Sequence, residues 1–178
     1  MTKQTFRKTA LQRLKSLSRQ KRYLSDKKVN SALYRLIKAS DAETVMLYVP
    51  LDLEVDVLPL IRKLRREGIM VLVPFMEGES FRLVKYRQPL RTKKYGVKEP
   101  KFSKQYRKRV IDIAIVPIVG TDSSLRRIGF GKGMYDRFFA QYKKEIRHVV
   151  FTQRVLCQSR AVITDDYDVG ADSIITAG

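Results

Sequence analysis

The chain has 178 residues, 44% hydrophobic and 31% charged, which fits one globular domain with a substantial core. Lys and Arg number 37 against 18 acidic residues, a net charge of +19; such an excess attracts nucleic acid, nucleotides or polycarboxylates, although its spread along the chain favours a generally basic surface. With no apolar run near the roughly 18 residues of a membrane helix, no signal segment after Met1, one cysteine and one histidine, the composition argues against a membrane protein, a disulfide scaffold and a histidine-dependent hydrolase or metal site, and a cytoplasmic protein is expected.

Residues 3–18 have helical spacing, with Phe6, Ala10, Leu11, Leu14 and Leu17 on one face. Lys3 and Arg7 fall at i and i+4, where their charges repel unless an anion lies between them; two solvated charges on a basic helix are the alternative. Ser25 and Asp26 are expected to open a second helix, with Val29, Leu33, Leu36 and Ile37 buried. Thr44–Val49 reads as a parallel strand covered on both sides. It runs into a loop containing Glu54 and Asp56, and loops at the carboxyl ends of such strands commonly hold ligands. An acid that starts the next helix is an equally good reading of either residue. Leu58–Glu67 reads as a helix stopped by Gly68, and Met70–Pro74 as the next strand, a crossover that requires a parallel sheet. Phe81–Tyr86 alternates as an antiparallel or edge strand.

Lys85–Arg109 carries eleven Lys or Arg residues with little periodicity and reads as a long solvated loop. Ile111–Pro117 is the best buried strand. It leads to Arg127-Ile128-Gly129-Phe130-Gly131-Lys132-Gly133-Met134-Tyr135-Asp136. Three glycines at alternate positions leave backbone N–H groups open to an anion, and Met134–Tyr142 reads as a helix whose N-terminus favours phosphate. Arg127 and Lys132 add pairing charge, and Asp136 suits a phosphate-bound Mg²⁺. On the extended approach to this loop neighbouring side chains point to opposite sides, so only one of Arg126 and Arg127 is expected to face a ligand. His148–Phe151 and Ser173–Thr176 read as further strands. Cys157 reads as a lone buried thiol and His148 as a strand residue.

The glycine stretch resembles the signature R-[LIV]-G-x-G-[GK]-G-x-Y-D of the 5-formyltetrahydrofolate cyclo-ligases, also called methenyltetrahydrofolate synthetases. Lys3, Phe6 and Arg7 match the family's N-terminal K-x-x-L-R pattern, Pro50 to Asp56 its P-x-x-x-E-[VI]-[DE], and Tyr95-Gly96-Val97-Lys98-Glu99-Pro100 its aromatic-G-[IV]-x-E-P. Four ordered motifs span almost the whole chain. Departures are Leu125, where the family usually has glycine, Met134 in place of an aromatic, and the poorly aligned stretch from Phe151 to Asp168.

The resemblance implies a single three-layer α/β domain over residues 1–178, Rossmann-like and CoA transferase-like, with a mainly parallel sheet. It implies ATP- and Mg²⁺-dependent cyclisation of 5-formyltetrahydrofolate to 5,10-methenyltetrahydrofolate with release of ADP and phosphate. The ATP site would comprise Lys3, Gln4, Thr5, Phe6 and Arg7 with residues 127–135, that is Arg127, Ile128, Gly129, Phe130, Gly131, Lys132, Gly133, Met134 and Tyr135. Among these, Arg127, Lys132 and Tyr135 would be catalytic. Val49, Leu51, Glu54 and Tyr95 would hold the folate, whose polyglutamate form could meet Lys93, Lys94 and Lys98. Asp136 and Asp172 would hold the metal. A monomer acting without nucleic acid or membrane is expected. The alternatives are a basic nucleic-acid-binding module and a non-catalytic folate-binding relative.

Overall fold

Side-chain parity along the central strands sets the architecture of the computed structural model, which describes residues 1–102 and 110–178. Strands β1 (Thr44–Met46), β2 (Met70–Glu77), β6 (Ile111–Pro117) and β9 (Ile146–Gln153) alternate between two apolar faces. Val45, Val71, Val73, Ile113, Ile115 and Val150 point to one face, where α2 (Arg19–Ala39) and α3 (Leu58–Arg66) cover them. Met46, Leu72, Ala114, Val116, Val149 and Phe151 point to the other, against Phe138 and Phe139 of α4 (Met134–Tyr142). Strands buried on both sides require helices on both sides, which gives the three layers.

The main sheet has the order β10-β9-β6-β1-β2-β3, with β10 at Ser173–Thr176 and β3 at Ser80–Lys85. All its pairs are parallel except β2–β3. From β1 the chain winds outward through α3 to β2, and from β6 it winds the opposite way through α4 to β9. The adjacent β1 and β6 therefore form the switch point, where an open α/β sheet leaves a crevice at its carboxyl edge. Helix α1 (Lys3–Lys15) reaches that region. Its Phe6 and Ala10 pack with Val119, Ile128 and Cys157 beside the ribbon of β7 (Gly120–Thr121) and β8 (Arg127–Ile128).

Several expectations need revision. Helix α2 begins at Arg19, capped by Ser18, whose hydroxyl accepts the Lys21 N–H; Asp26 instead binds Arg154. Strand β2 runs past Pro74 to Glu77 because Pro74 lies beyond its pairing with β1, where no ladder donor is required. The basic stretch after Lys85 is not featureless: β4 (Leu90–Thr92) pairs with β5 (Lys98–Pro100). Buried Glu99 holds it, accepting Arg91 Nε at 2.9 Å and the Met76 N–H at 2.8 Å. The part of that stretch at 103–109 lies outside the described residues. Among the described residues, no helix is long and apolar enough to cross a membrane.

Candidate functional site

A cavity of about 380 Å³ occupies the crevice. One wall is the chain after β1, with Val49, Leu51 and Glu54; the opposite wall is the glycine loop, with Arg127, Lys132 and Tyr135. Pro74 and Met76 of β2 and Phe81 of β3 form an apolar floor, and Tyr95 and Val97 from the β4–β5 ribbon form the rim. A flat heterocycle suits such a mainly apolar slot with a few convergent polar groups.

The glycine loop is shaped around one arginine. Arg127 is only 6% exposed. Its Nε donates to the Pro117 carbonyl at 3.0 Å, and its guanidinium lies 4.6 Å from the centre of the Tyr135 ring. A Cβ at Gly129 would stand 2.2 Å from Arg127 Nη1, so glycine is required there for the guanidinium to fold back over the loop. Gly131 and Gly133 have φ of +95° and +64°, which side-chain-bearing residues adopt only with strain. Gly133, the N-cap of α4, offers no side chain to the first-turn amides, which remain available to an anion. Arg7 reaches over from α1, its Nε donating to the Gly129 carbonyl at 2.7 Å. Arg137 ties the loop to the β2–β3 turn through the Lys132 and Glu79 carbonyls. Lys132 lies over the Tyr95 ring, its Nζ 4.2 Å from the centre. Arg127 and Lys132 thus line the glycine-loop side of the cavity, and the Phe81 and Tyr95 rings line its apolar side.

Glu54 is held differently from a helix-starting acid. That role falls to Asp56, whose Oδ1 accepts the Leu58 N–H at 3.0 Å at the start of α3. Glu54 turns into the cavity, and its Oε2 accepts the Leu51 N–H at 2.8 Å. Burial pushes its carboxyl up to about 7 against the opposing pull of that N–H, Arg127 and Arg154. Burial also raises the Tyr135 hydroxyl, with the Glu54 charge adding to it. For Arg127 burial lowers the pKa, while the charges of Asp136, Tyr135, Glu54 and Asp168 raise it. Glu54 and Arg127 form a partly desolvated pair of opposite sign that faces the same space.

Val49, Leu51, Glu54 and Tyr95 all line the cavity with Arg127, Phe130, Lys132, Gly133, Met134 and Tyr135. Arg7 joins through Gly129. The rest of the N-terminal group does not. Phe6 is buried against Gly120, Gln4 and Thr5 are exposed, and Thr5 serves the helix cap at Thr2. Ile128 is fully buried, and its carbonyl accepts the Val119 N–H. Lys3 does not form an open pair with Arg7; it is hydrogen-bonded to Asp168 and lies 3.4 Å from Asp165. Burial alone would lower its ammonium, but those carboxylates outweigh burial and raise it. Asp172 is not among the cavity residues. Its Oδ2 accepts the Val149 N–H at 2.7 Å and stands 3.9 Å from His148 Nδ1, a local bond at the entry to β10.

The sequence reading missed Asp168. It is 6% exposed, and the next residue's N–H, that of Val169, donates to Asp136 Oδ1 at 3.3 Å. The Asp165–Asp168 spacing was the only local signal. Asp168 meets Lys3 across 165 positions of sequence, so spacing could not reveal the contact.

The model of the 5-formyltetrahydrofolate cyclo-ligase family matches residues 1–177. A curated relative, the 5-formyltetrahydrofolate cyclo-ligase of Mycoplasma pneumoniae, is 25% identical over 177 residues, 98% of each chain. Among solved structures, the 5,10-methenyltetrahydrofolate synthetase of Aquifex aeolicus superposes with a TM-score of 0.81 at 29% identity, covering 99% of this chain and 90% of that one. The 5,10-methenyltetrahydrofolate synthetase of Mycoplasma pneumoniae gives 0.78 at 25% identity, with 98% of each chain covered. A match of the family model from end to end, with both solved structures sharing the three-layer fold, means that this chain belongs to the 5-formyltetrahydrofolate cyclo-ligase family.

Proposed function

We propose that the chain catalyses ATP- and Mg²⁺-dependent cyclisation of 5-formyltetrahydrofolate to 5,10-methenyltetrahydrofolate, releasing ADP and phosphate, as a cytoplasmic monomer acting without nucleic acid or membrane. One observation carries the reading: a helix-terminal glycine loop with Arg127 and Lys132 shares a single cavity with Glu54 and the Tyr95 ring. In the reaction the formyl oxygen attacks the γ-phosphorus and the bond to ADP breaks. N10 then attacks the activated carbon, N10 gives up its proton, and phosphate leaves with the former formyl oxygen. Phosphoryl transfer of this kind needs positioning and charge neutralisation more than acid–base groups. In this reading the α4 amides, Arg7 and Lys132 hold the phosphates, and Arg127 bridges them to the reacting oxygen. Tyr135 supports the Arg127 guanidinium, and Glu54 orients the folate ring system. Tyr95 covers the ring, and Lys98, which also lines the cavity, suits the carboxylates of a folate tail.

Among the described residues no cluster of three or more His, Cys, Asp or Glu could hold a metal. Two carboxylates do suit Mg²⁺, which keeps waters and phosphate oxygens as its other ligands. Asp136 Oδ2 accepts no hydrogen bond from the described residues, and Asp168 receives Lys3 and the Asp165 N–H on Oδ2 alone. We therefore assign the metal to Asp136 and Asp168 in place of Asp172. Bound there, Mg²⁺ would neutralise charge on the transferring phosphate.

The test is the ultraviolet absorbance of the methenyl product from purified protein. It should appear only with 5-formyltetrahydrofolate, ATP and Mg²⁺ together and vanish with a chelator. Folate binding without turnover would instead indicate a non-catalytic relative; nucleic-acid binding without folate binding would indicate the basic module.

A further inference from the structure

The loop that presents Glu54 contributes no strand or helix of its own between β1 and α3, yet it is fastened at several points. Its turn closes on itself, with the Glu54 N–H donating to the Leu51 carbonyl at 3.0 Å and the Leu51 N–H donating to the Glu54 carboxylate at 2.8 Å. The buried Tyr48 hydroxyl donates to the Val55 carbonyl at 3.1 Å. Helix α2 holds the same loop twice. Asn30 Nδ2 donates to the Asp56 carbonyl at 2.8 Å, and one turn earlier on the helix Asp26 anchors Arg154.

Arg154 follows β9 and is 5% exposed. Its Nε and Nη2 donate to the two oxygens of Asp26 at 2.7 and 3.0 Å, and its Nη1 donates to the Asp52 carbonyl at 2.9 Å. It is absent from the cavity lining and borders instead a depression between α1, α2 and the C-terminal residues. A bidentate carboxylate clamp leaves the guanidinium little freedom, so its Nη1 fixes Asp52 in place.

We infer that Arg154 is a positioning residue for Glu54: it fastens the Leu51–Glu54 turn to α2 and sets a permanent positive charge behind the carboxylate. The inference rests on the proposed folate role of Glu54. Two cations act on Glu54, Arg127 from the cavity side and Arg154 from behind the loop; Tyr48 and Tyr135 are the titratable groups facing it, and the Leu51 N–H completes its surroundings. A purely structural clamp would hold the whole cavity equally. The geometry instead ties Arg154 to the folate wall, because none of its hydrogen bonds reaches the glycine loop.

The test uses the full chain, three variants at the clamp and Glu54→Gln as an assignment control. In Asp26→Asn the amide oxygen can still receive one of the two Arg154 donors, so the cation and its Asp52 bond are kept without the counter-charge. In Asp26→Asn/Arg154→Met the pair is removed without leaving a buried unpaired charge, and both the tie and the positive charge are lost. Carbon-13 NMR titration of the Glu54 carboxyl, assigned by its loss in Glu54→Gln, should show a midpoint near 7 in the wild type. In the double variant it should move up, while in Asp26→Asn, which keeps the cation and loses its counter-charge, it should not rise. By calorimetry the double variant should bind 5-formyltetrahydrofolate about 10-fold more weakly and a non-hydrolysable ATP analogue within about 2-fold of wild type. Arg154→Lys, which keeps a charge but cannot make all three bonds, guards against a double variant that fails to fold. It should weaken folate binding several-fold while the Glu54 midpoint holds. An unmoved midpoint in a folded double variant, equal loss of both ligands, or wild-type folate affinity in Arg154→Lys would overturn the inference. Wild-type protein that binds no folate would overturn the site reading instead, and the titration would still decide whether Arg154 governs Glu54.

Discussion

Glu54 carries a burial cost whenever it is ionised. Its folded pKa, about 7, lies above its ordinary 4.5, so the protonated form is favoured in the folded protein. The associated stability is complete below about pH 4.5 and is lost as pH rises through 7. Glu54→Gln should therefore be more stable than wild type at pH 8, by about 3 kcal/mol, with little difference at pH 4. Denaturant titrations at the two pH values measure this, and an unchanged difference between them would count against the buried-carboxylate assignment. The same variant should bind 5-formyltetrahydrofolate more weakly and an ATP analogue normally. Arg126 and Arg127 make the complementary case. Arg126 pairs with Asp166, which is almost fully exposed, while Arg127 faces the cavity. If Arg127 stabilises charge on the transferring group, Arg127→Ala should lower kcat/KM about 100-fold or more. Arg126→Ala should cost well under about 1 kcal/mol. Equal kinetic losses in the two would remove Arg127 from its role. Removing Arg127 should also lower the melting temperature, because it fills interior space and satisfies the Pro117 carbonyl.

At the scale of elements, the turn that feeds the glycine loop holds a residue in an unfavourable conformation. Leu125 has φ of +57° and closes a turn by donating its N–H to the Asp122 carbonyl at 3.0 Å, while its side chain is 40% exposed. A left-handed conformation costs a branched residue about 1–2 kcal/mol, and glycine avoids that at some cost in chain entropy. Leu125→Gly should therefore raise stability by about 1 kcal/mol or somewhat less, with kcat/KM unchanged. A loss of stability on chemical denaturation would mean that the Leu125 side chain contributes packing that outweighs its strain. The buried strands, the Gly68 stop and α4 were legible because their signals are local. Ile111–Pro117, Met134–Tyr142 and Ser173–Thr176 have the same limits in sequence and structure. The start of α2 was not, since Ser18 and the Ser25–Asp26 pair both resemble caps and only the tertiary bond from Arg154 to Asp26 separates them. The β4–β5 ribbon escaped because its three-residue strands are rich in Lys and Arg and are held by one buried acid, Glu99. Four cavity residues, Val49, Leu51, Glu54 and Tyr95, were legible through motifs. The partners of Lys3 and the clamp at Arg154 were not, because both depend on contacts more than 100 positions apart.

For the molecule as a whole, the charge balance remains the feature least connected to the cavity. With 37 Lys and Arg against 18 acidic residues, pairing every acid would still leave 19 cations over. Some pairs are well built, such as Arg154 with Asp26 and Lys3 with Asp168. Elsewhere cations gather without acids: Arg62, Arg65 and Arg66 share one depression on α3, and none of them has a salt bridge among the described residues. Two electrostatic effects then compete when salt is added. Screening weakens exposed attractive pairs, which lowers stability, and it weakens net repulsion, which raises it; both operate over a Debye length of about 10 Å at 0.1 M. The excess of cations makes repulsion the larger effect, because the strongest attractive pairs are partly buried and screen poorly. The melting temperature should rise by a few degrees, about 2–5 °C, between about 20 and 200 mM KCl. Chloride is preferred to sulfate or phosphate, which would bind the arginine depressions and the glycine loop directly. Over the same range kcat/KM should fall, because ATP and folate are anions drawn to a positive molecule and screening slows their capture. Stability and activity are thus expected to move in opposite directions with salt. A melting temperature that falls with KCl would show that attractive surface pairs outweigh the excess charge, and a salt-independent kcat/KM would show that the excess charge plays no part in capturing substrate.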